Sequence, residues 1–181
     1  MTSAAESLTG ITLKGGWEVL GRTDTFDDRS GGVFSVGYIV RNTSGQMAFC
    51  KALDYSAAFA DDVEDTEEEL RRLTDAFLFE RDVADRCRER KLDRVVRALD
   101  HGRVRVPGHA YGWVSYLLFE KAHGDARDAL DGALEVGDQY DTALRRSHDC
   151  AIALTQLHGI GVSHQDVKPA NLMGWKDDGG W

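Results

Sequence analysis

The chain has 181 residues, 42% of them hydrophobic, enough for one ordinary domain with a buried core. A formal charge of −9, with no basic run interleaved with aromatics, excludes nucleic acid as the main partner. Cys50, Cys87 and Cys150 are widely spaced and form no C-x-x-C, so free thiols in a reducing cytoplasm are expected, with no metal site built from them. The first residues lack the basic and apolar blocks of a signal peptide, and no apolar run approaches the ~20 residues that cross a bilayer.

Residues 1–16 read as a polar leader with a weak strand at Ile11–Leu13. Trp17–Leu20 is the first clear strand and Val33–Val40, rich in β-branched and aromatic residues, the second. Arg41–Gly45 is a turn cluster and Met47–Leu53 the third strand. Connections this short cannot hold crossover helices, which predicts an antiparallel meander. A long helix follows. Thr66 and Glu69 fit a capping box, acids from Asp61 to Glu68 crowd its positive end, and Arg86, Arg88, Arg90 and Lys91 crowd its negative end. Leu73, Phe77, Ala84 and Cys87 share a face. Glu80 lies on that face too, and a carboxylate in an apolar stripe needs a partner.

Val95–Leu99 and Tyr111–Glu120 read as two more strands, with Gly102–Gly108 as the turn region between them. Beyond them the pattern is helical. A short helix is expected at Asp125–Leu134. A longer one is expected at Asp141–His158, with Leu144, Ala151, Leu154 and His158 facing inward and Gly159 and Gly161 stopping it. The expected class is α+β: a five-stranded antiparallel sheet with one long helix, then a mainly helical half, the boundary lying near Glu120–Gly124.

The strongest chemical signal is His164-Gln165-Asp166-Val167-Lys168-Pro169-Ala170-Asn171. It fits H-x-D-x-K-P-x-N, and five fixed positions in eight arise by chance at about 3 × 10⁻⁷ per window. The segment resembles the catalytic loop of eukaryotic-like protein serine/threonine kinases. The resemblance implies roles. Asp166 accepts the proton of a substrate hydroxyl, Lys168 neutralises the transferred phosphoryl group, and Asn171 gives an oxygen to Mg²⁺. His164 becomes a buried scaffold residue. Gln165 stands where the family has an arginine that pairs with a phosphorylated activation loop, so the resemblance does not extend to that control. The Lys168-Pro169 pair sets the segment apart from small-molecule kinases such as aminoglycoside phosphotransferases and favours a protein substrate.

Three further segments resemble the family in its order. Ala48-Phe49-Cys50-Lys51 is similar to the V-A-I-K strand, which makes Lys51 the ligand of the ATP α- and β-phosphates and Glu80 its partner. Ser30–Tyr38 can be laid on the Gly-rich phosphate loop, with Gly31, Gly32 and the tip residue Phe34 as its ATP-binding positions and Gly21–Arg29 as an insertion before it. Ser30 and Ser35 replace two of the loop's glycines, and Gly37 replaces the valine that packs on adenine. Tyr116–Ala122 resembles the fifth strand and hinge, with Phe119 beside the adenine and backbone groups of Glu120 and Ala122 bonding its edge; Asp125 comes within reach of the ribose.

By this resemblance residues 1–16 are a leader, 17–122 a nucleotide-binding N-lobe, and 123–181 a partial C-lobe carrying the catalytic loop. The expected ligands are ATP and Mg²⁺ and the expected partner a protein substrate, in the cytoplasm. The family's D-F-G segment, which holds its principal Mg²⁺ ligand, has no match in Gly174–Trp181, a stretch that reads as a hairpin with an Asp-Gly turn. The chain is therefore expected to be a truncated portion of a kinase domain, inactive by itself; the alternative is a non-catalytic pseudokinase-like or fragment module binding nucleotide or a partner protein, and a third reading has a second chain supplying the missing half.

Overall fold

Short β-rich runs joined by tight turns pair with their neighbours in sequence, and the first half of the chain does so. The computed structural model describes residues 2–23, 34–60, 63–126 and 138–175. Two units divide the chain: Met1–Ala84 with Ala98–Lys121, and Asp85–Arg97 with Ala122–Trp181.

The first unit is built on a sheet of β1 (Thr12–Leu13), β2 (Trp17–Arg22), β3 (Ser35–Arg41), β4 (Met47–Leu53), β5 (Ala98–Arg105) and β6 (Trp113–Glu120). Their order is β1-β2-β3-β4-β6-β5, and every adjacent pair is antiparallel. The sheet has six strands where five are expected. The sixth is β1, the weak strand in the supposed leader, which pairs with Trp17 and Glu18 of β2.

Period-two alternation gives the sheet two distinct faces. One carries the rungs Tyr38–Cys50–Leu118 and Val36–Ala52–Tyr116, all buried. Ala5, Leu8 and Leu13 join them in one core, with Ala4 and Ile11 packed against it, so residues 4–13 are a packed part of this unit. Two buried tyrosines fasten that segment. Tyr38 Oη donates to the Ala5 carbonyl at 2.6 Å and accepts the Leu8 N–H at 3.5 Å, and Tyr116 Oη accepts the Lys14 N–H at 3.2 Å. Ser3 and Glu6 form a capping box, and the Ser3 hydroxyl donates to Asp54 at 3.0 Å. The opposite face carries the rung Gly37–Lys51–Leu117.

The strand expected at Val95–Leu99 begins later and runs through Gly102, which is not a turn glycine. A Cβ there would stand 2.5 Å from Tyr116 Oη, so Gly102 is the space through which that hydroxyl reaches the N-terminal segment. The turn comes at Val106–Gly112, closed by a 2.6 Å bond from the Val106 N–H to the Gly112 carbonyl.

Helix α1 (Thr66–Glu89) starts where expected, but its cap is Asp65. Asp65 Oδ1 accepts the N–H groups of Glu67 and Glu68 at 2.9 and 3.0 Å. Asp is at least as good an N-cap as Thr, and its charge suits the positive helix end. Glu69, freed from the expected box, pairs with Arg72. Leu73 and Cys87 are buried and Phe77 and Ala84 half-buried, as the stripe predicts. The helix ends in a Schellman motif: Leu92 and Lys91 donate to the carbonyls of Cys87 and Arg88, and Lys91 takes a φ of 54°.

In the second unit, α2 (Asp138–Gly159) ends in the same motif, with Gly161 at φ 71° supplying the left-handed residue. Among its described side chains the buried one is Leu157; Leu144, Ala151 and His158 are exposed and Leu154 half-buried. The expected face is therefore about one residue out of phase. Polar bonds set the true phase. Gln156 donates to Asp93 at 2.5 Å and accepts the Arg94 N–H at 3.2 Å, and Arg94 pairs with Asp149 at 3.3 Å. A two-stranded ribbon pairs β7 (Gly124–Asp125) with β8 (Met173–Gly174). Of the helix expected at Asp125–Leu134, Asp125 lies in this ribbon and 127–134 lie outside the described residues; so does most of the hairpin expected at Gly174–Trp181. Among the described residues no helix is long and apolar enough to cross a membrane.

Tyr38→Phe removes the hydroxyl that satisfies two buried backbone groups, so it should cost about 1–3 kcal/mol. Urea unfolding should show a lower midpoint with an unchanged m-value. An unchanged midpoint would mean that the N-terminal segment is not fastened there.

Candidate functional site

Strand β4 is bonded on both sides, to β3 and to β6, so Lys51 projects from the middle of the sheet's second face. Its Nζ lies 2.8 Å from both Glu80 carboxylate oxygens on α1. The phase is set by the stripe: Glu80 is seven residues, about two turns, after buried Leu73. The lysine side chain is 26% exposed and the glutamate 40%, so water screens the pair and its stabilising contribution is small. Its consequence is positional: a half-buried ammonium is held in one place with one hydrogen left over for a further anion. The structure thus brings together the two residues that the stripe and the strand nominate.

Phe34 precedes β3, and its ring lies under the Arg72 guanidinium at 4.7 Å. Gly31 and Gly32 lie outside the described residues. Phe119 is half-buried within β6, paired with Phe49 and Ala98. Glu120 ends that strand opposite Ala48, and Ala122 follows beyond the strand end.

In the second unit the loop His164–Asn171 converges on one carboxylate. Lys168 Nζ lies 2.8 Å from Asp166 Oδ2. Asn171 Nδ2 donates to the same oxygen at 3.0 Å and to the Asp166 carbonyl at 2.8 Å. Pro169–Asn171 forms one 3₁₀ turn with proline at its start, which brings Asn171 back over Asp166. Upstream, Gln165 adopts a φ of 62°, and the Asp166 N–H donates back to the His164 carbonyl at 2.9 Å and to His164 Nδ1 at 3.3 Å. A non-glycine residue in that region is a strained position of the sort found at functional sites. His164 is exposed, not buried as expected; it serves the loop by accepting this bond.

Electrostatics follow from the contacts. The Lys168 ammonium, helped by the Asn171 amide, holds the Asp166 carboxyl below its ordinary 3.8. Asp166 is therefore an anion at neutral pH. Asn171 commits its NH₂ group to Asp166, which leaves its carbonyl oxygen, a hard donor of the kind Mg²⁺ takes. Elsewhere burial pushes the Cys50 thiol up to about 12, which makes it an unreactive core side chain. Among the described residues no cluster of three or more His, Cys, Asp or Glu side chains forms a separate metal site.

Several of these contacts were not foreseen. The Ser3-x-x-Glu6 pattern is a readable capping box, and Asp65 is a readable cap. Nothing local announces the Arg72–Phe34 contact or the left-handed Gln165.

No family model matches the sequence. A crystal structure of a kinase domain superposes with a TM-score of 0.64 at 15% identity, over 93% of this chain and 42% of the solved chain. The fold is kinase-like, and the chain spans less than half the length of that solved chain.

Lys168→Met should raise the Asp166 titration toward 3.8, followed by NMR of the side-chain carboxyl carbon. A wild-type Asp166 already titrating at 3.8 or above would contradict the Lys168 contact.

Proposed function

We propose that the chain belongs to an ATP-dependent protein kinase and carries its nucleotide-anchoring lysine and its catalytic loop, with a Ser/Thr hydroxyl of a protein as acceptor. The observation that carries this reading is the convergence of Lys168 and Asn171 on the Asp166 carboxylate. Asp166 accepts the hydroxyl proton and aims the oxygen at the γ-phosphorus. The new P–O bond forms as the bond to the β-phosphate oxygen breaks, and ADP leaves. Lys168 has two ammonium hydrogens beyond the one on Asp166 and turns them to the charge on the moving phosphoryl group. Lys51, oriented by Glu80, holds the α- and β-phosphates. Glu120 and Ala122 offer backbone groups to the adenine edge, and Gly31, Gly32 and Phe34 belong to the phosphate hairpin. Asn171 contributes one oxygen to a Mg²⁺ ion, which when bound neutralises phosphate charge. Gln165, uncharged where the resembled family has arginine, supports control that does not run through a phosphorylated activation loop. Three free thiols suit the cytoplasm.

A second reading, a pseudokinase-like module that binds nucleotide or a partner without turnover, has one observation in its favour. Ser30 and Ser35 stand where the resembled phosphate loop has glycines, and Gly37 stands where it has the valine that packs on adenine. Phosphotransfer by these residues alone is accordingly expected to be slow.

Calorimetric titration of residues 1–181 with Mg·ATP should show binding that weakens about tenfold in Lys51→Met, roughly one lost charge-assisted contact. Radiolabel transfer to a generic protein acceptor should be slow and fall to background in Asp166→Asn, since a positioned base is worth about 10²–10⁴-fold. Because Asp166 titrates below its ordinary range, its protonation should not limit that activity near neutral pH, and the pH–rate profile should show no loss from it there. Binding with no transfer selects the second reading. Absence of Mg·ATP binding, or indifference to both substitutions, overturns the first.

A further inference from the structure

Phe34 is held from two sides. Its carbonyl accepts the Asp54 N–H at 2.7 Å, which extends the β3–β4 ladder one residue past the Ser35–Leu53 pair. Its ring lies under the Arg72 guanidinium at 4.7 Å. That guanidinium is fixed by its own helix, because Nε and Nη2 donate to the two Glu69 carboxylate oxygens at 2.7 and 2.6 Å. A fork held on both nitrogens has little freedom to rotate, so α1 decides which face it turns to the ring.

Arg72 and Glu80 are eight residues apart, about 12 Å along the helix. Helix α1 therefore grips the sheet at two separate points. Glu80 holds Lys51 in β4, and Arg72 holds the residue entering β3. A single contact fixes a distance but leaves the helix free to pivot about it; a second one removes that freedom. The ordinary alternative is an exposed i,i+3 ion pair with a ring beside it by chance, and such pairs contribute little. The two differ in one respect: only a working contact transmits a change at Arg72 to the backbone of Phe34.

We propose that Arg72 is a positioning residue that, by stacking on Phe34, ties the entrance of β3 to helix α1, so that a helix placed for the Lys51–Glu80 pair also places Phe34, a residue assigned to the ATP phosphates. This rests on the nucleotide-binding reading above. Arg72 itself touches no nucleotide in it.

The Asp54 amide, whose acceptor is Phe34, is the direct reporter, with the Cys50 amide in the adjoining strand β4 as internal reference. Hydrogen exchange without nucleotide should speed up at Asp54 in Arg72→Met and in Phe34→Leu, no further in the double variant, and less in Arg72→Lys, which keeps the cation. Mg·ATP affinity should fall about two- to five-fold in each single variant, again without further loss in the double. Melting temperatures should stay near wild type, which separates positioning from general loosening. Exchange at Asp54 that ignores Arg72→Met, or losses that multiply in the double variant, overturn the coupling. A wild type that binds no ATP while its Asp54 exchange still responds overturns the nucleotide reading and leaves the coupling standing.

Discussion

A lysine ammonium in the middle of a sheet has no water-rich edge to reach, so it requires a counter-charge from whatever packs over that face. Lys51 stands in β4 between Gly37 of β3 and Leu117 of β6, neither of which can pair with it. The carboxylate has to come from helix α1, and this requirement sets both the helix's rotation and its start. Asp65 caps the first turn, and Leu73, Phe77 and Glu80 then fall on the sheet side by the 3.6-residue period alone. One residue inserted between cap and glutamate would turn Glu80 by about 100° and leave Lys51 unpaired.

The other face of the sheet meets a different constraint. Its rungs are apolar except for two tyrosine hydroxyls, and a buried hydroxyl without a partner is costly. Both hydroxyls find backbone groups of residues 5–14, so the same contacts that satisfy them also bind the N-terminal segment over the core. Gly102 completes the arrangement by leaving room for Tyr116 Oη. The sheet thus has a closed apolar face and one that carries Lys51.

Much of this was legible. Strand β4 spans the expected Met47–Leu53, and the Glu80 partnership follows from a carboxylate inside an apolar stripe. What escaped was non-local. Gly102 looks like a turn residue until Tyr116 is seen opposite it, and residues 5–14 look polar until Tyr38 and Tyr116 turn them inward. On α2 two apolar registers compete, and the choice falls to Gln156 and Asp149 through Asp93 and Arg94, which lie more than fifty residues earlier. The loop His164–Asn171 was legible as a motif. Its left-handed Gln165 and exposed His164 were not, because backbone strain leaves no periodic trace.

The loop's electrostatics bear on what Asp166 can do. A carboxylate held below its ordinary titration range by a touching ammonium is a weak base, since lowering the pKa lowers the driving force for taking a proton. Phosphoryl transfer asks little of a base, because its loose transition state develops modest nucleophile charge before the leaving bond is largely broken. A firmly ionised acceptor, fixed by Lys168 and Asn171, suits orientation of a hydroxyl better than deprotonation of it. Such an Asp166 also stays charged across the whole physiological pH range, so it is ill-suited to act as a pH switch. On the kinase reading, then, the Lys168–Asp166 contact gives up basicity and gains aim, and the reaction depends more on the second.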